Sequence, residues 1–329
     1  MPLSVPTRPP VRAGRYIPAN AVHKQNYFYF YKSNQFSRFG VITFGRTFRP
    51  ANDTRMKFAS LLCFALLLPQ AWSTVSGQTV HGTVTDRTTG EPVGYANIWF
   101  NGTGRGTVAD GHGIYSIDAG TVTPDHTLSF NCIGYDTCTV RLRDIPQDGT
   151  FDAFLAPVPQ VIEEVTVVPV KTRLKRLGNN FRSPLMEAVH QDDLTGVEFG
   201  TIIKIKKRTW LEEVRINVLS CSYDDLTFRL NIYGRDEMGR FVNILRQPIY
   251  ASIPRTDDPT TVTINLADLH IVTDDDLIVA YQHISSSLTG QIRFPIGLTG
   301  ARSCVRYNQG DAWEDTEWSF RFPISLIAR

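Results

Sequence analysis

An all-β chain, two antiparallel sandwiches in tandem behind an export leader, is what this sequence predicts. Three observations predict it. Apolar and polar residues alternate along short runs, clusters of Gly, Asn, Asp and Pro separate those runs, and the region after residue 78 is patterned with period two.

The chain has 329 residues, and its first part reads as leader. Residues 1–55 hold nine Lys or Arg against one acid, Asp53, with the aromatic run Tyr27, Phe28, Tyr29, Phe30, Tyr31. Two readings stand: a basic aromatic arm, or sequence upstream of the true start, which is the one adopted because a secretory signal does not work from behind a long polar leader. That signal is residues 56–77. Met56 and Lys57 precede the apolar run from Phe58 to Leu68, and the small residues Ser73 to Gly77 form the cleavage region. The mature protein is expected to begin near Gln78. The apolar run is short of the roughly 20 residues needed to span a bilayer, and no transmembrane segment is expected in the mature chain.

Residues 78–155 are read as the first sandwich. Val80, Gly82 and Val84 alternate with His81, Thr83 and Thr85, and the polar turn from Asp86 to Pro92 leads to a strand from Ala96 to Phe100. Asn101-Gly102 closes that strand as a hairpin turn, so the sequon Asn101-Gly102-Thr103 is read as a turn rather than a glycosylation site. Asp110-Gly111-His112-Gly113 makes the next turn. Strands over Tyr115–Ile117, Thr127–Cys132, Cys138–Leu142 and Phe151–Leu155 complete the set.

These residues carry a resemblance. Gly82-Thr83-Val84-Thr85-Asp86, Thr89-Gly90-Glu91-Pro92-Val93, Ala96-Asn97-Ile98, Gly106 to Asp110, Gly113 to Ile117 and Ile133-Gly134-Tyr135, in that order, resemble the carboxypeptidase regulatory-like domain. The resemblance implies a prealbumin-like, seven-strand Greek-key sandwich without catalytic activity. It also implies a Gram-negative envelope setting, since such domains stand at the N-terminus of TonB-dependent outer-membrane receptors and on secreted or surface proteins. The glycines are expected at turns that want positive φ. Glu163-Glu164-Val165-Thr166-Val167-Val168 is similar to the segment preceding the plug of those receptors. The remaining length is too small for a plug and barrel, so a receptor is not expected.

Residues 156–198, with Pro157, Pro159 and Pro169 and the basic Lys171, Arg173, Lys175 and Arg176, read as a linker; a partner-binding or headgroup-binding basic patch is the other reading. Residues 199–329 return to alternation at Val214–Val218, Phe228–Ile232 and Val262–Leu266. This is the second sandwich, expected to be of jelly-roll type.

Composition and motifs narrow the function. Net charge is +2, so no broad attraction to nucleic acid or anionic lipid is expected. Nucleophile elbows, zinc-protease helices, phosphate loops and dinucleotide fingerprints are absent, and no cofactor or catalytic residue is assigned. His112, His126, His190, His270 and His283 are scattered and read as solvated or capping. The paired acids at Asp192-Asp193, Asp224-Asp225 and Asp257-Asp258 fall at turns. Asp274, Asp275 and Asp276 form a candidate calcium site. Cys132 and Cys138 flank a turn and are either bridged across a hairpin or buried as thiols, metal binding being the third reading. Arg306, Tyr307, Trp313 and Trp318 gather aromatic and polar groups suited to a sugar ring, or they close the second core.

The expectation is an exported, non-enzymatic binding or scaffold protein of the periplasm or outer-membrane surface, with an envelope protein or glycan as partner. The alternative is a glycan-active hydrolase whose carboxylates converge in the C-terminal sandwich.

Overall fold

Residues 27–29, 79–159, 173–191, 194–286, 290–316 and 320–329 are described by the computed structural model. The signal segment, the leader apart from residues 27–29, the stretch Glu163–Val168, Lys171, the Asp192-Asp193 pair and Trp318 lie outside them. The described chain is built of strands and two short 3-10 turns.

After the short β1 (Tyr27–Tyr29), the first sandwich comprises β2 (Thr79–Asp86), β3 (Asn97–Phe100), β4 (Arg105–Val108), β5 (Ile114–Asp118), β6 (Thr127–Asn131), β7 (Cys138–Arg141) and β8 (Ala153–Leu155). They form two sheets, in the orders β5-β2-β8 and β4-β3-β6-β7. The period-two pattern sets the core: Val80 and Val84 of β2, Tyr115 and Ile117 of β5 and Leu155 of β8 are buried against Ile98, Phe100, Leu128 and Phe130. The turns form as the sequence predicts. Gly102 has φ +73° after Asn101, and Gly113 has φ +75° beside Asp110, whose carboxylate accepts from the amides of His112 and Ile114.

Two expectations for this half are corrected. β8 runs parallel to β2, so the sandwich is not antiparallel throughout. Gly82 and Gly106 have no positive φ and sit inside strands; they are glycines because other groups approach, a Cβ on Gly82 falling 2.0 Å from the Phe151 carbonyl oxygen. Of the readings left open for Cys132 and Cys138, the structure holds thiols: the β6–β7 register places Cys138 opposite Phe130, and both cysteines are free, with burial pushing each pKa up.

The segment expected to be a linker supplies two strands, β9 (Lys175–Gly178) and β10 (Glu187–Gln191). They are followed by β11 (Glu198–Ile203), β12 (Thr209–Val218), β13 (Ser220–Cys221), β14 (Leu226–Arg235), β15 (Phe241–Asn243), β16 (Ile249–Ile253), β17 (Thr260–Asn265), β18 (Val272–Thr273), β19 (Leu277–Ser286), β20 (Gln291–Pro295), β21 (Ser303–Arg306), β22 (Glu314–Asp315) and β23 (Ile324–Ala328). The larger sheet has the order β15-β14-β19-β11-β21-β22, with β16 also pairing β14. The sheet facing it runs β17-β12-β23-β9, with β18 also on β12, and a smaller one runs β1-β10-β20-β13. Residues on alternate positions of both large sheets, including Val214, Ile216, Phe228, Leu230, Val279, Tyr281, Ile324 and Leu326, close a single apolar core. β10 is drawn in because Val189 and Ala188 are apolar and His190 stacks on Phe199 at 4.3 Å.

His190 and His283 are thus buried, not solvated or capping as expected. Burial among aromatic rings, with His283 near, pulls the His190 pKa down to about 3.

Candidate functional site

The larger sheet of the second sandwich has a second face, which alternation predicts to be wet. Along β14 the core-facing Phe228, Leu230 and Ile232 interleave with Arg229, Asn231 and Tyr233; along β11 and β19 the same outward face carries Glu198 and Gln282; on β21 it carries Arg306. All six side chains are buried. Arg229, Glu198 and Gln282 are 0% exposed. What covers them is the first sandwich on one side and the chain from Tyr307 to Thr316 on the other.

Glu198 and Arg306 are opposite one another in the β11–β21 register, and the Arg306 Nη2 donates to Glu198 Oε1 at 2.7 Å. Tyr233 donates its hydroxyl hydrogen to Glu198 Oε2 at 2.8 Å, and Asn231 and Gln309 donate to the same carboxylate at 3.2 Å each. The guanidinium of Arg306 lies between two rings, 4.7 Å from the Tyr233 centroid and 4.5 Å from that of Trp313. Burial pulls the Arg306 pKa down, but Glu198 and Tyr233 outweigh it and hold it above the ordinary value. Burial first, then the Glu198 charge, raises Tyr233, so its hydroxyl keeps its proton.

Arg229 has neutral acceptors. Its Nε and Nη2 donate to Gln282 Oε1 at 3.0 and 2.6 Å, its Nη1 to the Tyr95 carbonyl oxygen at 2.9 Å and its Nη2 to Asn97 Oδ1 at 2.7 Å. Gln282 also donates to Asn97 Oδ1, at 2.9 Å, and to the Gly196 carbonyl. Asn231 joins the two clusters by donating to both Gln282 and Glu198. Tyr95 and Asn97 belong to the first sandwich, so the second sandwich's buried arginine is solvated by the first. Around this bridge the backbones come close. A Cβ on Gly106 would meet the Asn308 Cβ at 2.6 Å, and one on Gly310 would meet the Trp99 Nε1 at 2.2 Å. Tyr95 and Tyr250 meet at a tilt across the same junction, with ring centroids 5.1 Å apart.

The sequence-predicted residues divide here. Arg306 and Trp313 come together, but face to face: one ring face of Trp313 is taken by Arg306 and its edge meets Tyr233 at 5.3 Å. Tyr307 is half-buried and packs on the main core. Asp274, Asp275 and Asp276 do not act together. Asp276 accepts from Lys204 at 2.6 Å and from the Ile205 amide at 3.0 Å, and among the described residues no group of three His, Cys, Asp or Glu side chains is arranged to hold a metal ion. Among the described residues no helix is long and apolar enough to cross a membrane. Sequence reasoning missed Glu198, Arg229, Tyr233 and Gln282, because a polar strand face covered by another domain has the same spelling as one facing water.

Residues 80–167 match the model of the CarboxypepD_reg-like domain, so this chain carries such a domain, and it spans β2 to β8. No curated protein matches the chain. Similar solved structures include one of infectious bursal disease virus Gt strain, 12% identical, covering 76% of this chain and 58% of that one at a TM-score of 0.24. Another is a membrane-associated protein of unknown function from Bacteroides fragilis NCTC 9343, 12% identical, covering 66% of this chain and 97% of that one at a TM-score of 0.19. A carbohydrate-binding module of the β-sandwich superfamily is 10% identical and covers 66% of this chain and 96% of its own at 0.17. At these TM-scores the likenesses bear on neither fold nor function.

Proposed function

We propose that this protein is an exported, non-enzymatic scaffold of the cell envelope, in which two sandwiches locked into one body hold a fixed spacing between what docks at either end. The observation that carries the reading is the Arg229 bridge to Tyr95 and Asn97. A buried guanidinium satisfied from both sandwiches costs too much to expose for the two to swing freely. The ionisable groups of the covered face are likewise spent on one another: Glu198 is held by Arg306, Tyr233, Asn231 and Gln309, which leaves a carboxylate engaged in structure rather than poised for proton transfer. The CarboxypepD_reg-like domain, a non-catalytic family of exported proteins, supports the same reading.

The test is to produce the full chain in a Gram-negative host. The mass of the purified protein is expected to place its N-terminus near Gln78, the protein to fractionate with the envelope, and a panel of chromogenic glycosides, esters and peptides to show no turnover. A purified form retaining Met1, or turnover that Glu198→Gln abolishes without unfolding the protein, would overturn the proposal.

A further inference from the structure

Strands β11, β14 and β19 all run between the junction and the opposite end of the second sandwich. Glu198, Arg229 and Gln282 lie at the junction; Ile203, Arg235 and Leu277 lie at the far end. β11 covers that distance in six residues, about 20 Å of strand.

At the far end the chain places basic residues on two neighbouring segments. Lys206, Lys207 and Arg208 fill the loop from β11 to β12 and are exposed. Arg173, shortly before β9, and Lys175 and Arg176, at its start, are exposed as well. The register brings the two segments to the same edge. Ala328 of β23 pairs with Leu211 on one side and with Lys175 on the other, and Arg329 and Trp210 exchange backbone hydrogen bonds at 2.9 and 3.0 Å. Only β23 therefore separates the two basic segments, a lateral distance of about 10 Å. None of the six forms an ion pair among the described residues, whereas three of the acids nearby are committed: Asp276 to Lys204, Asp236 to Arg240 and Glu212 to Arg329. Asp274 and Asp275 are exposed at the adjacent turn and Glu237 in the turn after β14, so the six cations outnumber the open carboxylates there. Exposed Leu174 sits between Arg173 and Lys175, just before β9, and half-buried Trp210 carries Arg208 over its ring at 5.9 Å.

We infer that this end docks on an anionic lipid surface, its six unpaired cations meeting headgroup phosphates while Leu174 and Trp210 rest at the acyl boundary. The near-zero net charge of the chain hides the patch, because screening over about 8 Å leaves a surface to respond to its local charges and not to the sum. The apolar pair distinguishes a bilayer from a soluble polyanion, which offers nothing for a leucine to enter. The inference rests on the scaffold reading only in naming what one end of the body meets.

Cosedimentation of the purified protein with vesicles tests it. Binding is expected to vesicles of 70% phosphatidylcholine and 30% phosphatidylglycerol at low salt, and to fall steeply with added NaCl. The triple variants Lys206→Gln/Lys207→Gln/Arg208→Gln and Arg173→Gln/Lys175→Gln/Arg176→Gln should each weaken it on the order of a hundredfold, from about fivefold per side chain. Leu174→Ser should weaken it severalfold. Unfolding midpoints show whether each variant is folded. Equal binding to pure phosphatidylcholine, binding that both triple variants retain, or binding to dextran sulfate with none to the vesicles would overturn the inference. Because variant and parent are compared in the same processed form, a retained leader would sink the export reading without touching this result.

Discussion

The two ends of the second sandwich use arginine in opposite ways. At the junction Arg229 and Arg306 are covered and donate to buried acceptors, so their charge holds structure together. At the far end Arg173, Arg176 and Arg208 are exposed and outside any ion pair among the described residues, so their charge is available to something else. The residue type is the same. What lies above it decides its role, and the difference in desolvation makes the first pair expensive to disturb and the second group cheap.

The largest expected effect is at the junction. Glu198→Gln removes the carboxylate from a buried pair and leaves Arg306 uncompensated, which should cost about 3–5 kcal/mol in a chemical unfolding measurement. A loss below about 1 kcal/mol would mean that the pair is wetter than its burial indicates. Next, Arg229→Met keeps the volume but strands the Tyr95 carbonyl and should cost about 1–3 kcal/mol. It should also separate calorimetric unfolding into two transitions, where the parent shows one.

His190 extends the contrast to acid pH. Its folded pKa is depressed to about 3 from an ordinary 6.5, so the unfolded chain binds the proton more readily between those values. The contribution is complete above pH 6.5 and is lost as pH falls toward 3. At pH 5 the loss should be about 2 kcal/mol relative to pH 8, read from urea midpoints, and His190→Phe should remove that part of the slope. The smallest effect belongs to the far end, where either basic triple variant should change stability by no more than about 0.5 kcal/mol. A larger change would show that those side chains do structural work.

Much of this architecture was legible in the chain. Period-two alternation located β2, β5, β12 and β14, and the Asn101-Gly102 and Asp110 to Gly113 turns were spelled by residues that take positive φ or satisfy turn amides. β9 and β10 were missed because Lys175-Arg176-Leu177-Gly178 and Glu187-Ala188-Val189-His190 are too short to show a period, and pairing with β23 and β20 alone makes them strands. The candidate site was half legible. Arg306 and Trp313 were seen as a cluster, but their use was not, since nothing in Arg229-Leu230-Asn231-Ile232-Tyr233 says whether its polar side meets water or another sandwich. The glycines at 106 and 310 were the available signal: one from each unit, neither at a positive φ, both where the opposing chain comes too close for a side chain.

A double-mutant cycle between Arg229→Met and Asn97→Ala, scored by equilibrium unfolding, probes the bridge that makes the two sandwiches one body. A coupling of more than about 1 kcal/mol is predicted, because the two side chains lie 2.7 Å apart in a site closed to water. Losses that add to within about 0.3–0.5 kcal/mol would show that the two residues do not interact and that this bridge does not hold the sandwiches together.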